Sequence, residues 1–112
     1  MLENASVGPE RYMNLLSARQ KVVASNIANV DTPGYRTKDV DFHTELASQF
    51  GNLGPSTVEV SGLKTKNDGN NVDMDRESRL LSENALRFAV ATNLARSELQ
   101  TLRSAIEEGK TS

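Results

Sequence analysis

Cysteine and tryptophan are absent from this 112-residue chain, which also has only three prolines, one histidine, two tyrosines and three phenylalanines. Without cysteine there are no disulfides and no thiolate metal sites, so redox chemistry says nothing about the compartment. So few rings, with 37% hydrophobic residues, allow one domain with a thin aliphatic core. Thirteen Lys and Arg against fifteen Asp and Glu leave a net charge of −2 with no block of like charges. Neither nucleic acid nor an anionic membrane is a natural partner for such a surface. The first ten residues have no basic stretch leading into an apolar one, and no run approaches ~18 apolar residues. By these criteria the chain is expected to be neither a Sec substrate nor inserted in a membrane.

Groups that could do chemistry are scattered. His43 stands in a polar segment with no second imidazole or thiol to pair with it, and is read as a surface or hydrogen-bonded histidine. The acidic run from Asp68 to Glu77 fails as a calcium loop, because a register starting at Asp73 puts Ser78 where the sharp turn needs glycine. Helix initiation explains it better. Asp73 or Asp75 can cap a following helix, and Asp75 and Glu77 complement its positive end. Asn26 and Asn29 lack the Ser or Thr two positions on that glycosylation requires. No catalytic residue, cofactor or metal is expected, and the chain is read as not an enzyme.

What the chain does have is helical periodicity at both ends. Met13, Leu16, Gln20, Val23, Ile27 and Val30 alternate spacings of three and four, one polar position interrupting the seam. An amphipathic helix of roughly 20 residues follows, from about Pro9 to Asn29, with Ser6 or Gly8 available as its cap. Leu81, Ala85, Phe88, Thr92, Ala95, Leu99, Leu102 and Ile106 keep the same spacing, with no Gly or Pro from Asp75 to Glu108. At 1.5 Å per residue such a helix spans ~50 Å, far beyond the ~13 Å radius of gyration of a compact domain of this size. One end must project or meet another molecule. Leu86, Val90 and Leu94, with Leu80 nearby, make a further apolar surface, read either as intermolecular packing or as a wide core stripe.

Between the helices lies a corner. In Thr32-Pro33-Gly34-Tyr35, Pro33 cannot continue a helix and Gly34 supplies the positive φ of a type II turn. The first helix is thus expected to stop near Asn29 or Val30, with Asn26 and Asn29 bonding its last carbonyls or tolerating a left-handed cap. Beyond it the chain is polar. Thr57-Val58-Glu59-Val60 alternates as a strand does, and Thr65-Lys66 can return beside it as a small hairpin.

These residues resemble a known family. Ala24-Ser25-Asn26-Ile27-Ala28-Asn29 followed by Thr32-Pro33-Gly34-Tyr35 is similar to the signature of bacterial flagellar axial proteins of the rod and hook class. Tyr35-Arg36-Thr37-Lys38-Asp39-Val40-Asp41-Phe42 and Asp68-Gly69-Asn70-Asn71-Val72-Asp73-Met74-Asp75 look like the proximal rod proteins of the FlgB family. The resemblance covers both ends of the chain and little of residues 49–66. It implies a structural subunit without enzyme activity, exported by the flagellar type III apparatus and assembled in the periplasmic rod of the basal body. It also implies partners: copies of itself, other rod proteins and the adaptor at the MS-ring junction.

The expected fold is therefore mostly α, with two long terminal helices paired as an antiparallel coiled coil. An extended arm carrying a small β-hairpin joins them. The expected divisions are 1–34, an axial helix and turn; 35–74, the arm; and 75–112, the second axial helix. Met13, Leu16, Val23 and Ile27 are expected against Leu81, Phe88, Leu99 and Leu102, with the other apolar positions meeting neighbours. A soluble helical adaptor or export chaperone that binds one partner helix is the alternative. Polymerisation separates the two, since a rod subunit forms open assemblies and an adaptor saturates.

Overall fold

The computed structural model describes residues 2–47 and 55–111. Three helices and two short strands follow in the order α1 (Leu2–Ala28), β1 (Lys38–Val40), α2 (Phe42–Ala47), β2 (Thr57–Glu59) and α3 (Met74–Thr111). The molecule is long and narrow, 71 × 26 × 18 Å with a radius of gyration of 18.5 Å. The 38 residues of α3 set that length, since they alone span ~57 Å.

Helix α1 begins at Leu2, upstream of the start expected near Pro9. Proline costs little in a first helical turn but removes a backbone donor further in, which is why the sequence reads as starting there. The other end of α1 falls where the corner dictates. Asn29 N–H donates to Ser25 O at 3.1 Å and Val30 N–H to Ile27 O at 3.2 Å, closing the last turn. Tyr35 N–H then reaches Thr32 O at 3.2 Å across Pro33 and Gly34, and Gly34 has φ +77°, the geometry of a type II turn. No non-glycine residue described has positive φ, so Asn26 and Asn29 act through their amides and not as left-handed caps.

Cross-contacts run in opposite senses along α1 and α3. Asn26 meets Glu77, Gln20 meets Asn84 and Tyr12 meets Arg87, so the two helices are antiparallel. Their buried apolar residues are Leu15, Leu16 and Val23 from α1, Leu80 and Ala91 from α3, and Val40 and Val72 from the arm. It is a thin core without aromatic residues.

The inward face of α3 differs from the expected one. Glu77, Leu80, Asn84 and Ala91 are buried, whereas Leu81 and Ala85 are exposed and Phe88 and Ala95 only half-buried. Met13, Ile27 and Val30 are half-buried too, and Gln20 faces solvent. Leu99, Leu102 and Ile106 do not pack on Met13 or Leu16 within the subunit, being 50%, 57% and 52% exposed. The reason is reach. The cross-contacts place Met13 and Leu16 opposite roughly residues 83–91 of α3, short of Leu99, Leu102 and Ile106, and every residue from Arg96 to Lys110 is exposed.

The strand expected at residues 57–60 is present as β2, but its partner is β1, not the residues after Gly62. The pair is antiparallel, with Lys38 opposite Glu59, Asp39 opposite Val58 and Val40 opposite Thr57. Lys66 cannot join because its N–H donates to Asn70 O at 2.8 Å while Gly69 N–H returns to Lys66 O at 2.9 Å. Residues 66–70 therefore close on themselves as a turn.

With so little core, each aliphatic contact carries a large share of stability. Leu16→Ala, at a fully buried position, is expected to lower the unfolding free energy by about 3 kcal/mol, read from the urea midpoint. The same change at exposed Leu102 should shift it by no more than about 0.5 kcal/mol.

Candidate functional site: the corner and the faces of α3

Asn26 sits in the last turn of α1 with no exposed surface. Its Nδ2 donates to Lys38 O at 2.8 Å and to Glu77 Oε1 at 2.9 Å. Its Oδ1 accepts from Tyr35 Oη–H at 2.9 Å and Lys38 N–H at 3.2 Å. A side-chain amide offers two donors and two lone pairs, and all four are used here. One residue thus ties together the end of α1, the corner, β1 and the start of α3.

A second asparagine secures the corner from outside. Asn70 Nδ2 donates to Asn29 O and Thr32 O, both at 2.8 Å, adding a second bond to carbonyls that already accept from Thr32 N–H and Tyr35 N–H in the turn. Its Oδ1 accepts from Val72 N–H at 2.8 Å. Lys66 Nζ reaches Val30 O at 3.0 Å, putting a cation at the negative end of α1. The two turns touch: Gly34 N–H donates to Asp68 O at 2.9 Å, and a Cβ on Gly69 would lie 3.3 Å from Gly34 Cα. With φ +89°, position 69 suits glycine on both counts. Thr37 N–H donates to Asn71 Oδ1 at 2.6 Å, fastening the strand to the same loop.

Charge fills the space beneath. Arg19 holds Asp39 with both Nε (3.0 Å) and Nη2 (2.8 Å). Arg76 donates to Asp39 Oδ2 at 2.9 Å and to Glu77 Oε1 at 2.8 Å. Two guanidiniums and two carboxylates alternate, so the cluster is neutral overall. Burial nevertheless pushes the Glu77 carboxyl above its ordinary value, against the lowering pull of Arg76 and Asn26, with nearby Asp39 adding to the rise. Asp73 Oδ1 accepts from Asp75 N–H (3.0 Å) and Arg76 N–H (3.2 Å), the N-cap of α3, while Asp75 stays exposed.

Helix α2 leans on α1 through an edge-to-face contact of Phe42 with Tyr12 at 5.6 Å and through Arg19 over the Phe42 ring. Arg11 donates to Glu45 O, and the Glu45 carboxylate takes Ser56 N–H and Oγ–H at 2.9 and 2.7 Å. Those two Ser56 bonds hold the Glu45 carboxyl below its ordinary value. His43 is exposed on α2, and no group of His, Asp or Glu among the described residues is arranged to hold a metal.

The corner residues singled out in the sequence, Asn26, Asn29, Thr32, Pro33, Gly34 and Tyr35, thus come together, joined by Asn70 and Asn71, while Asp73 caps α3. The apolar positions divide between the α1 to α3 contact and open surface. Beside that contact runs a groove of about 460 Å³ lined by Leu16, Ser17, Gln20, Lys21, Asn84, Ala85 and Phe88. Periodicity missed Arg19, Asp39, Asn70, Arg76 and Asn84. One signal was available: Glu77, Asn84 and Ala91 fall at heptad spacing, marking a seam built partly of polar residues.

This arrangement is mechanical. It turns a chain sharply between two antiparallel helices and leaves one of them overlong, as an axial subunit of a filament requires. Comparison with known proteins specifies the filament. The family model for flagella basal body rod proteins matches residues 13–36, the second half of α1 and the corner. Flagellar basal body rod protein FlgB of Escherichia coli strain K12 is 30% identical over 125 residues, covering 89% of this chain and 91% of that protein. FlgB of Borrelia hermsii is 34% identical over 75% of the chain and 82% of that protein. FlgB of Yersinia enterocolitica is 29% identical over 96% and 97%. The chain belongs to the FlgB family of flagellar basal body rod proteins. It is a structural subunit located in the basal body rod, and not an enzyme.

Glu77 gives this site a pH signature. Its carboxyl is raised in the folded chain above 4.5, so over the interval just above that value the native state binds more protons than the unfolded one. Its contribution to stability therefore falls as pH rises through the interval. Glu77→Gln is expected to remove this downward slope when urea unfolding is measured from pH 4 to 7. An unchanged slope in the variant would assign it to other groups.

Proposed function

We propose that this chain builds the proximal part of the rod, with α1 and α3 as an axial coiled coil and the arm reaching to neighbouring subunits. In this reading residues 1–34 and 75–112 are the axial parts and 35–74 the arm. The observation that carries it is the uncovered part of α3. Leu99, Leu102 and Ile106 continue a three-four apolar spacing beyond Ala91, the last buried residue of α3 among those described, and Leu86, Val90 and Leu94 are 69%, 60% and 53% exposed on another side of the same helix. Two apolar rows on different sides of one helix suit contacts with more than one neighbour, and unlike patches joined head to tail give open assemblies. Torque then passes through many helix contacts and through the corner at Pro33 and Gly34.

The neighbours in this proposal are copies of the chain, other rod proteins and the adaptor at the MS-ring junction. Delivery in this proposal is by the flagellar type III apparatus. Among the described residues no helix is long and apolar enough to cross a membrane.

Leu102→Asp tests the overhang. The isolated subunit should melt within about 2 °C of the wild type, as expected for a change at an exposed position. Rod assembly and motility should be lost while the protein still appears among exported flagellar components. Normal rods in this variant would remove the overhang from the interface.

A further inference from the structure

Burial and periodicity disagree along α3. The regular apolar row, Leu81, Ala85, Phe88, Thr92, Ala95 and Leu99, is not the row turned toward α1. The facing row is Glu77, Leu80, Asn84 and Ala91. The two differ by one position at Leu80 against Leu81 and at Asn84 against Ala85. At ~100° per residue the centres of the two rows lie roughly 70° apart around α3. Apolar burial alone would favour the other rotation, because it would take the Glu77 carboxylate and the Asn84 amide out of the seam and bring in Ala85 and Phe88, with Leu81 in place of Leu80.

Three side chains oppose it. Glu77 and Asn26 are fully buried and Asn84 is 5% exposed. Asn26 Nδ2 bonds Glu77 Oε1 at 2.9 Å, and Asn84 Nδ2 donates to Leu16 O at 2.9 Å and Gln20 Oε1 at 3.0 Å. These bonds join positions on α1 to positions on α3 and close only at this rotation. They are imperfect as a source of stability, since Glu77 Oε2 and Asn84 Oδ1 are buried without a partner. Buried polar residues that cost stability yet admit one pairing are the devices by which helical coils fix register.

We propose that Asn26, Glu77 and Asn84 are a register key: they set the rotation of α3 on α1 and hold its apolar row beside the seam and not in it. The key acts within a single subunit. That this row is then free for neighbours rests on the assembly reading above, but the key can be tested without it.

The absence of cysteine allows spin labels to be placed at Ser17→Cys and Ala89→Cys alone, both exposed positions on facing helices. Distance distributions between them, in the isolated full-length chain, report the rotation. The wild type should give one narrow population. A Glu77→Leu and Asn84→Leu double variant should keep its helical signal and add a second, shorter population as the apolar row turns toward α1. Glu77→Gln, which keeps the acceptor for Asn26, should retain the single population. One unchanged population in the leucine variant would overturn the proposal, as would loss of its helical signal, since either means these residues do not set the rotation.

Discussion

Everything in this subunit hangs on the Asn26 side chain. The end of α1, the corner, β1 and the start of α3 converge on one amide, and its donors and acceptors are all used inside the protein. A buried amide with every bond satisfied avoids the desolvation cost that would otherwise make it a defect. Because its partners come from the corner, β1 and α3, none of those segments can shift without breaking a bond made by another. The type II turn gives the chain its change of direction, and Asn26 makes that direction fixed.

The polar centre compensates for what the composition withholds. The seven aliphatic side chains buried among the described residues take little surface from water, and α1 and α3 share only part of their length. Arg19, Asp39, Arg76 and Glu77 add directional contacts where more leucine would have added undirected ones. Their net contribution to stability is modest, because removing two carboxylates and two guanidiniums from water offsets most of the attraction. Their contribution to geometry is large. A rod subunit needs a defined angle and rotation more than it needs a high melting temperature, and the apolar surface missing from its core is exposed along α3.

Much of this was legible from spacing and turn chemistry. The two helices, the stop at the corner and the glycine at position 34 followed from local rules that tertiary structure did not override. The excess length of the second helix pointed to assembly before any fold was known. What escaped were features decided by contacts far apart in sequence. Thr57–Glu59 looked like half of a local hairpin, yet the Asn70 carbonyl had already claimed Lys66, leaving β1 as the strand's partner. Asp39 and Arg76, 37 positions apart, carry no periodic signal that would bring them together. The facing row of α3 was misassigned by one position for the same reason: counting apolar residues cannot see that Glu77 and Asn84 bond across the seam. The family resemblance supplied the identity, and the packing supplied the roles of residues that the resemblance left unassigned.

Asn26→Ala bears most directly on the claim that one buried amide couples both helices and the arm. Hydrogen exchange of α1, β1 and α3, measured with urea unfolding, should show a loss of about 2–3 kcal/mol, the size expected when buried partners lose their bonds. Protection should fall in all three elements together. A loss below about 0.5 kcal/mol, or a loss confined to the last turn of α1, would contradict the central role given to Asn26.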